Sequence, residues 1–204
     1  MSFKLCKILG VELHLHYTSL IVLILLALMM PNHLLLVAVL LVSVIAHEYG
    51  HVLAARKYGI GCDRVLITPV GGIAFLENLP RDSTLELIIV GAGPAVSLLL
   101  SLWGAALFLI EPFDVFMFLG MLNGALFLFN ILPIFPMDGG RILRAVLSYS
   151  MSYENSTRIS PRIGQCMAFV VGILSLFSAN FMLFFAMVMV AMMGQKELDQ
   201  INKV

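Results

Sequence analysis

The feature that most constrains the fold of this chain is a series of six apolar blocks separated by short polar segments. Of its 204 residues, 61% are apolar and only 12% are charged, whereas soluble domains carry about 25% charged residues. Apolar stretches that approach 20 residues predict membrane-spanning helices, and the first and last blocks here are the shortest. Six helical crossings are the simplest prediction, from the blocks 17–30, 34–58, 85–110, 115–132, 163–177 and 181–193.

The charged residues give an independent prediction of the topology. With six crossings and the N-terminus in the cytoplasm, all twelve Lys and Arg residues fall on the cytoplasmic side. This agrees with the general excess of Lys and Arg in the cytoplasmic loops of membrane proteins. We therefore expect a multi-pass protein of the cell membrane with both termini in the cytoplasm. Twelve acidic residues balance the basic ones, so the charge favours no nucleic-acid partner and leaves the lipid bilayer as the main surroundings.

Three segments outside the blocks are predicted to be structured. Residues 65–77 are rich in β-branched and aromatic residues around Gly71 and Gly72, which is typical of a short β-hairpin. Residues 13–16 alternate leucine with histidine, which favours a short interfacial strand. Residues 139–149 carry two arginines at helical spacing beside apolar residues, as expected of an interfacial helix.

These segments complete the predicted architecture. We expect an all-α polytopic membrane protein with about six transmembrane helices and a small membrane-associated β-hairpin or sheet. No linker or repeat divides the chain, so residues 1–204 are expected to form a single domain.

The second apolar block ends in the sequence His47-Glu48-Tyr49-Gly50-His51. Histidines four positions apart on a helix share one face, so His47 and His51 can bind a single metal ion, with Glu48 offset toward a water ligand. The apolar residues before the motif carry the helix about 20 Å into the hydrocarbon core. Because ionisable residues are costly there and usually functional, the pattern predicts a catalytic zinc site with Glu48 as the general base.

A catalytic zinc ion usually has three protein ligands, so a third must come from elsewhere in the chain. The other acid predicted to lie deep is Asp138, which follows two prolines that interrupt the helix after the fourth block. Non-helical backbone at membrane depth is tolerated where it lines a wet cavity, which a carboxylate ligand and a hydrolytic water both require. Asp138 is therefore the predicted third ligand, and a helix cap is its alternative role.

Two asparagines on one face of the fourth predicted helix are further candidates. Asn123 and Asn130 are seven positions apart, and such amides either bond to a neighbouring helix or serve the site. Asn130 lies beside the proline break and is the predicted substrate-binding residue, whereas the role of Asn123 is left open. Gly71 and Gly72 are predicted to bind an extended stretch of substrate through the hairpin.

The order of these motifs resembles that of the site-2 proteases, the intramembrane zinc metalloproteases. The likeness covers nearly the whole chain and is greatest to the compact branch that includes the pro-sigma-K processing enzyme of sporulating bacteria. It rests on the motifs His47-Glu-x-x-His51, Pro69-x-Gly71-Gly72, Gly93-Pro94 and Asn130-x-x-Pro133-x-x-Pro136-Met-Asp138-Gly139.

This resemblance implies one zinc ion bound by His47, His51 and Asp138, with Glu48 as the base and a site open to the cytosol. The implied substrate is the transmembrane segment of another membrane protein, from which a cytosolic fragment is released. The family often has an asparagine where this chain has Ser97, and no PDZ or C-terminal regulatory domain is expected. Specificity would then depend on a regulatory membrane partner, on prior trimming of the substrate or on the core itself.

Two other functions remain open on the sequence alone. A divalent-metal transporter could use the same histidines and acids as transit ligands, although it would not need a hydrolase motif or a Gly-Gly hairpin. An inactive homologue that acts as a membrane chaperone would not need the intact His, Glu and Asp positions.

Overall fold

The computed structural model describes residues 2–29, 31–69, 71–77, 82–177, 180, 181, 184, 185, 187–189, 191 and 192. This part of the chain is mostly helical and contains one small sheet, as predicted. Its strands are β1 Ser2–Ile8, β2 Val11–His16, β3 Cys62–Thr68 and β4 Gly71–Leu76. Its helices are α1 Tyr17–Met29, α2 Leu34–Lys57, α3 Ser83–Ile110, α4 Asp114–Ile131, α5 Asp138–Leu147 and α6 Tyr153–Phe177.

Within the described residues, four helical segments are long and apolar enough to cross a membrane: Pro31–Lys57, Ser83–Ile110, Asp114–Ile131 and Tyr153–Phe177. Helix α1 has 13 residues and is about 20 Å long, less than the hydrocarbon core of about 30 Å. Five of the thirteen positions in the predicted block 181–193, and two of the three in the predicted turn at 178–180, lie outside the described residues. The count of six crossings, and the topology that depends on it, therefore stay predictions.

The chain divides into two compact units, residues 1–79 with 92–127 and residues 80–91 with 128–204, so that two of the boundaries fall inside α3 and inside α4. The first unit contains the sheet, α1, α2 and the parts of α3 and α4 between those two boundaries. The second contains the first turns of α3, the last residues of α4, and all of α5 and α6.

The sheet of the first unit has the strand order β1-β2-β3-β4. Strands β1 and β2 form an antiparallel hairpin whose two turn residues, Leu9 and Gly10, both have positive φ, as two-residue hairpin turns often require. Strand β2 pairs with β3 in parallel, with α1 and α2 as the connection, and β3 pairs with β4 antiparallel. The predicted strand at 13–16 and the predicted hairpin at 65–77 are both confirmed; β1 is an additional strand.

One face of this sheet packs on the second half of α2. Alternate residues of β2 are buried because a strand turns every second side chain to the same face. They form a hydrophobic core with β3 and α2 that consists of Val11, Leu13, Leu15, Tyr49, Val52, Val65 and Ile67. The packing fixes the end of α2 that carries the His-Glu-x-x-His sequence.

In the second unit, helix α5 begins directly after the proline-interrupted segment 132–137. The turn before the helix packs tightly on its start, because a Cβ on Gly139 would overlap the carbonyl oxygens of Leu132 and Ile131. Arg144 on α5 binds the buried carboxylate of Glu86 on α3. These contacts give Asp138, the first residue of α5, a defined position, and the predicted interfacial helix at 139–149 is confirmed as a helix.

Candidate metal centre

The two histidines of the motif lie on one face of α2, as their spacing predicts. His47 is 5% exposed and His51 is 7% exposed. Their Nε2 atoms face each other at 3.4 Å, and their rings meet edge to face. The second half of a helix that is long and apolar enough to cross a membrane thus brings two imidazole nitrogens to one point.

The separation of these nitrogens fits a shared metal ion. Two ligands at about 2.0–2.1 Å from a tetrahedral zinc ion stand about 3.4 Å apart, which is the observed Nε2 to Nε2 distance. Gly93 on α3 lies beside the same two atoms, and a Cβ at this position would overlap His51 Nε2 and lie 2.8 Å from His47 Nε2. The absent side chain leaves space on the side where both nitrogens point.

The other nitrogen of His47 contacts α3 as well. Its Nδ1 lies 2.8 Å from the hydroxyl oxygen of Ser97, and Ser97 is fully buried. The sequence left the role of Ser97 open, and the two residues are fifty positions apart. The signal that could have found it is the spacing of Gly93 and Ser97, which puts them on one face of a helix.

Glu48 is also buried, and strand β4 passes directly over it. A Cβ on Gly72 would overlap the Glu48 side chain, so only glycine allows the strand to approach this closely. The structure thus brings Gly72 of the predicted hairpin to the predicted general base. Gly71, the first residue of β4, has φ of +146°, and its carbonyl oxygen accepts a hydrogen bond from Thr68 Oγ1 at 2.7 Å.

The two asparagines of α4 differ in their surroundings. Asn123 is fully buried, and its Nδ2 donates to Ser43 Oγ on α2 at 2.9 Å and to the Leu119 carbonyl. This is the helix-to-helix contact that the sequence offered as one of its alternatives. Asn130 is half-buried in the last turn of α4, within the second unit, and Asp138 is half-buried at the start of α5.

Two carboxylates at the sheet have pKa values that are shifted by neighbouring charged side chains. On β2, a hydrogen bond from Lys4 and a second contact with His14 lower the pKa of Glu12 to about 2. At the end of β4, the neighbouring carboxylate of Asp63 raises the pKa of Glu77. Neither group is near the His47 and His51 motif in sequence, and neither was among the predicted site residues.

Comparisons with known proteins bear on this centre. Residues 35–113 and 105–175 match Peptidase family M50. Zinc metalloprotease MJ0392 of Methanocaldococcus jannaschii is 37% identical over 195 residues, which are 89% of this chain and 56% of that protein. Stage IV sporulation protein FB of Bacillus subtilis is 26% identical over 152 residues, which are 73% of this chain and 53% of that protein.

A solved structure is similar over almost its full length. The site-2 protease from Methanocaldococcus jannaschii has a TM-score of 0.71 and 36% identity, over 97% of this chain and 95% of that chain. The chain spans about half the length of the curated relatives named above. The family match includes the histidine motif, Asn123, Asn130 and Asp138. This chain therefore belongs to peptidase family M50, the family of the site-2 proteases.

Proposed function

We propose that this chain is an intramembrane zinc metalloprotease. It hydrolyses a peptide bond in or near the transmembrane segment of another membrane protein and releases a cytosolic fragment. The observation that carries the proposal is the pair of buried Nε2 atoms, 3.4 Å apart, on a helix able to cross a membrane. The names of the relatives, which are zinc metalloproteases and a site-2 protease, support the same chemistry.

The proposed ligands of the zinc ion are His47, His51 and Asp138. Two imidazoles and one carboxylate are a common ligand set of catalytic zinc, which keeps a fourth position open. The choice of Asp138 rests on the sequence, in which it is the other acid predicted to lie deep. Its place at the start of α5, after a segment that is not helical, agrees with the sequence prediction.

Glu48 is the proposed general base. The zinc ion supplies Lewis-acid chemistry, which makes a water molecule acidic near neutral pH and polarises the scissile carbonyl. Glu48 accepts the proton of the attacking water as the new C–O bond forms. The same carboxyl group then donates that proton to the leaving amide nitrogen as the C–N bond breaks. Glu48 is buried in α2.

The edge of β4 is the proposed binding place for substrate. Since β4 is last in the strand order, its outer edge has no partner strand among the described residues. A substrate stretch that leaves its helix needs backbone hydrogen bonds that lipid cannot provide, and an edge strand supplies them. Gly72 would place this stretch beside Glu48, Gly71 would begin the pairing, and Asn130 would hold a substrate carbonyl.

The charge pattern supports a proposed setting for the reaction. We propose that both termini lie in the cytoplasm, that six helices cross the cell membrane and that the site opens toward the cytosol. A regulatory membrane partner would then control access of the substrate.

The variant Glu48→Gln tests this function. It keeps the size of the side chain and one acceptor oxygen but removes the base, so we expect cleavage to fall by about 10²-fold or more while one zinc ion per chain persists. The measurement is release of a fragment from co-expressed reporters, each with one transmembrane segment and a cytosolic tag. Glu111→Gln, the same change at an exposed turn residue, is the matched control and should cleave normally.

Two results would contradict the proposal. Unchanged cleavage by Glu48→Gln would remove Glu48 from the chemistry. Zinc flux into liposomes by the wild-type protein, without fragment release from any reporter, would favour the metal transporter instead.

A further inference from the structure

Helix α3 contacts the ring of His47 at the nitrogen that does not face His51. His47 Nε2 points to His51 Nε2 at 3.4 Å, and His47 Nδ1 lies 2.8 Å from Ser97 Oγ. A histidine that binds a metal through Nε2 keeps its proton on Nδ1 and donates it to an acceptor, which fixes the tautomer and the ring orientation. Ser97 Oγ lies where that acceptor is needed.

The same face of α3 serves both sides of the imidazole ring. Gly93 is four positions before Ser97, so the two residues are stacked on one helix face. Gly93 has no Cβ to fill the space beside the two Nε2 atoms, whereas Ser97 contacts Nδ1 one turn later. One turn of α3 therefore provides both the space for an ion beside the two Nε2 atoms and a hydrogen-bond acceptor for His47 Nδ1.

Packing alone does not require this contact. A serine in an apolar helix can bond to a carbonyl of its own helix, or to the backbone of a neighbouring one. Ser101, one turn further along α3, does the latter, since its hydroxyl donates to the Gly120 carbonyl on α4 at 2.8 Å. Ser97 is the more deeply buried of the two, and its partner is the side chain of a candidate metal ligand.

We propose that Ser97 is a positioning residue of the metal centre. Its hydroxyl oxygen accepts the Nδ1 proton of His47 and thereby holds the ring with the Nε2 lone pair toward the metal. This inference rests on the zinc site proposed above and adds to it a residue whose role the sequence left open.

The test is the zinc affinity of Ser97→Ala, measured by competition with a chromophoric chelator in detergent micelles. Loss of such a second contact to a ligand histidine typically weakens metal binding by about 10- to 100-fold, and we expect a decrease in this range. Ser101→Ala is the matched control, because it removes a hydrogen bond from the same helix without touching His47. It should bind zinc as tightly as the wild-type protein.

A second measurement separates positioning from stability. In zinc-free protein labelled with ¹⁵N-histidine, the wild-type His47 ring should be found in its Nδ1–H tautomer, and Ser97→Ala should populate the other tautomer. The five histidines of the chain make the assignment practical by single substitution. A purely structural serine would leave this tautomer unchanged.

The outcomes for the two proposals are distinct. If Ser97→Ala binds zinc as tightly as the wild-type protein and keeps the tautomer, the role of Ser97 is wrong while the proposed protease stands. If the wild-type protein itself binds no zinc, or if His47→Ala does not weaken zinc binding, the proposed function fails and the role of Ser97 fails with it.

Discussion

Two buried glutamates, Glu48 in α2 and Glu86 in α3, have surroundings that differ in kind. Glu86 is fully buried and accepts a hydrogen bond from Arg144 Nε at 3.0 Å, with a second one from the same guanidinium. Arg144 lies in turn over the rings of Phe135 and Tyr153. A carboxylate held in this way is neutralised and fixed by its surroundings, as in a structural ion pair.

Glu48 has neighbours of another type. It shares its helical turn with two histidines whose nitrogens converge, and the backbone of β4 meets it at a glycine. An edge strand and a pair of candidate metal-binding nitrogens are the groups that the proposed reaction needs. The comparison shows that burial of an acid in this chain does not by itself indicate chemistry; the identity of the groups beside it does.

The largest expected effects come from replacing these two acids, one of which should affect stability and the other activity. Breaking a buried ion pair by removing one partner costs about 3–5 kcal/mol, so Glu86→Gln should unfold in micelles at a markedly lower temperature than the wild-type protein. Its folded fraction should still cleave reporters, whereas Glu48→Gln should be as stable as the wild type but inactive. Thermal unfolding and fragment release, measured on the same preparations, make the comparison.

A double variant sharpens this interpretation of Glu86. When both charges of a buried pair are replaced by apolar residues of similar size, the cost is often small. We expect Glu86→Leu combined with Arg144→Met to be more stable than either single variant. If the loss of unfolding free energy in the double variant equals the sum of the losses in the two single variants, the pair is not a self-contained structural element. The contrast with Glu48 is then weaker.

An intermediate effect is expected at Gly93, where the space beside the histidines is tested directly. The Cβ of Gly93→Ala would overlap His51 Nε2, so the ring must move, and we expect a loss of zinc affinity of at least about 10-fold. Gly91→Ala, two positions earlier on α3, is the control because no atom lies within 4 Å of its added Cβ. Equal zinc affinities in the two variants would mean that the space beside Gly93 is not used by a metal ion.

The local parts of the fold and site could be predicted from the sequence. The spacing of His47 and His51 fixes a shared helix face, and the residues around Gly71-Gly72 give a hairpin, because both patterns act within a few positions. The pairing of β2 with β3 and the contact of Ser97 with His47 join residues about fifty positions apart. Such contacts are set by tertiary packing, and no short-range periodicity encodes them.

The start of one helix and the whole of one strand were not predicted from the sequence, for related reasons. Helix α6 begins at Tyr153, ten residues before the predicted apolar block, because its first turns are polar and amphipathic and carry no signal for a crossing. Strand β1 has side chains that are exposed throughout, so it lacks the alternation by which a half-buried strand is recognised. It is held instead by the backbone of β2, which its own sequence does not reveal.

The smallest expected effect concerns Glu12, an exposed counterpart of the two buried acids. Its hydrogen bond from Lys4, together with His14, lowers its pKa from 4.5 to about 2. A lowered pKa in the folded state means that the pair stabilises the β1–β2 hairpin above pH 4.5 and that this contribution is lost as the pH falls toward 2. Glu12→Gln should therefore reduce the loss of amide-exchange protection in β1 over that pH range. Because both side chains are partly exposed, solvent screens the pair and the change should be slight. If Glu12→Gln changed stability as much as Glu86→Gln does, the difference between an exposed and a buried ion pair would not explain how much each acid contributes.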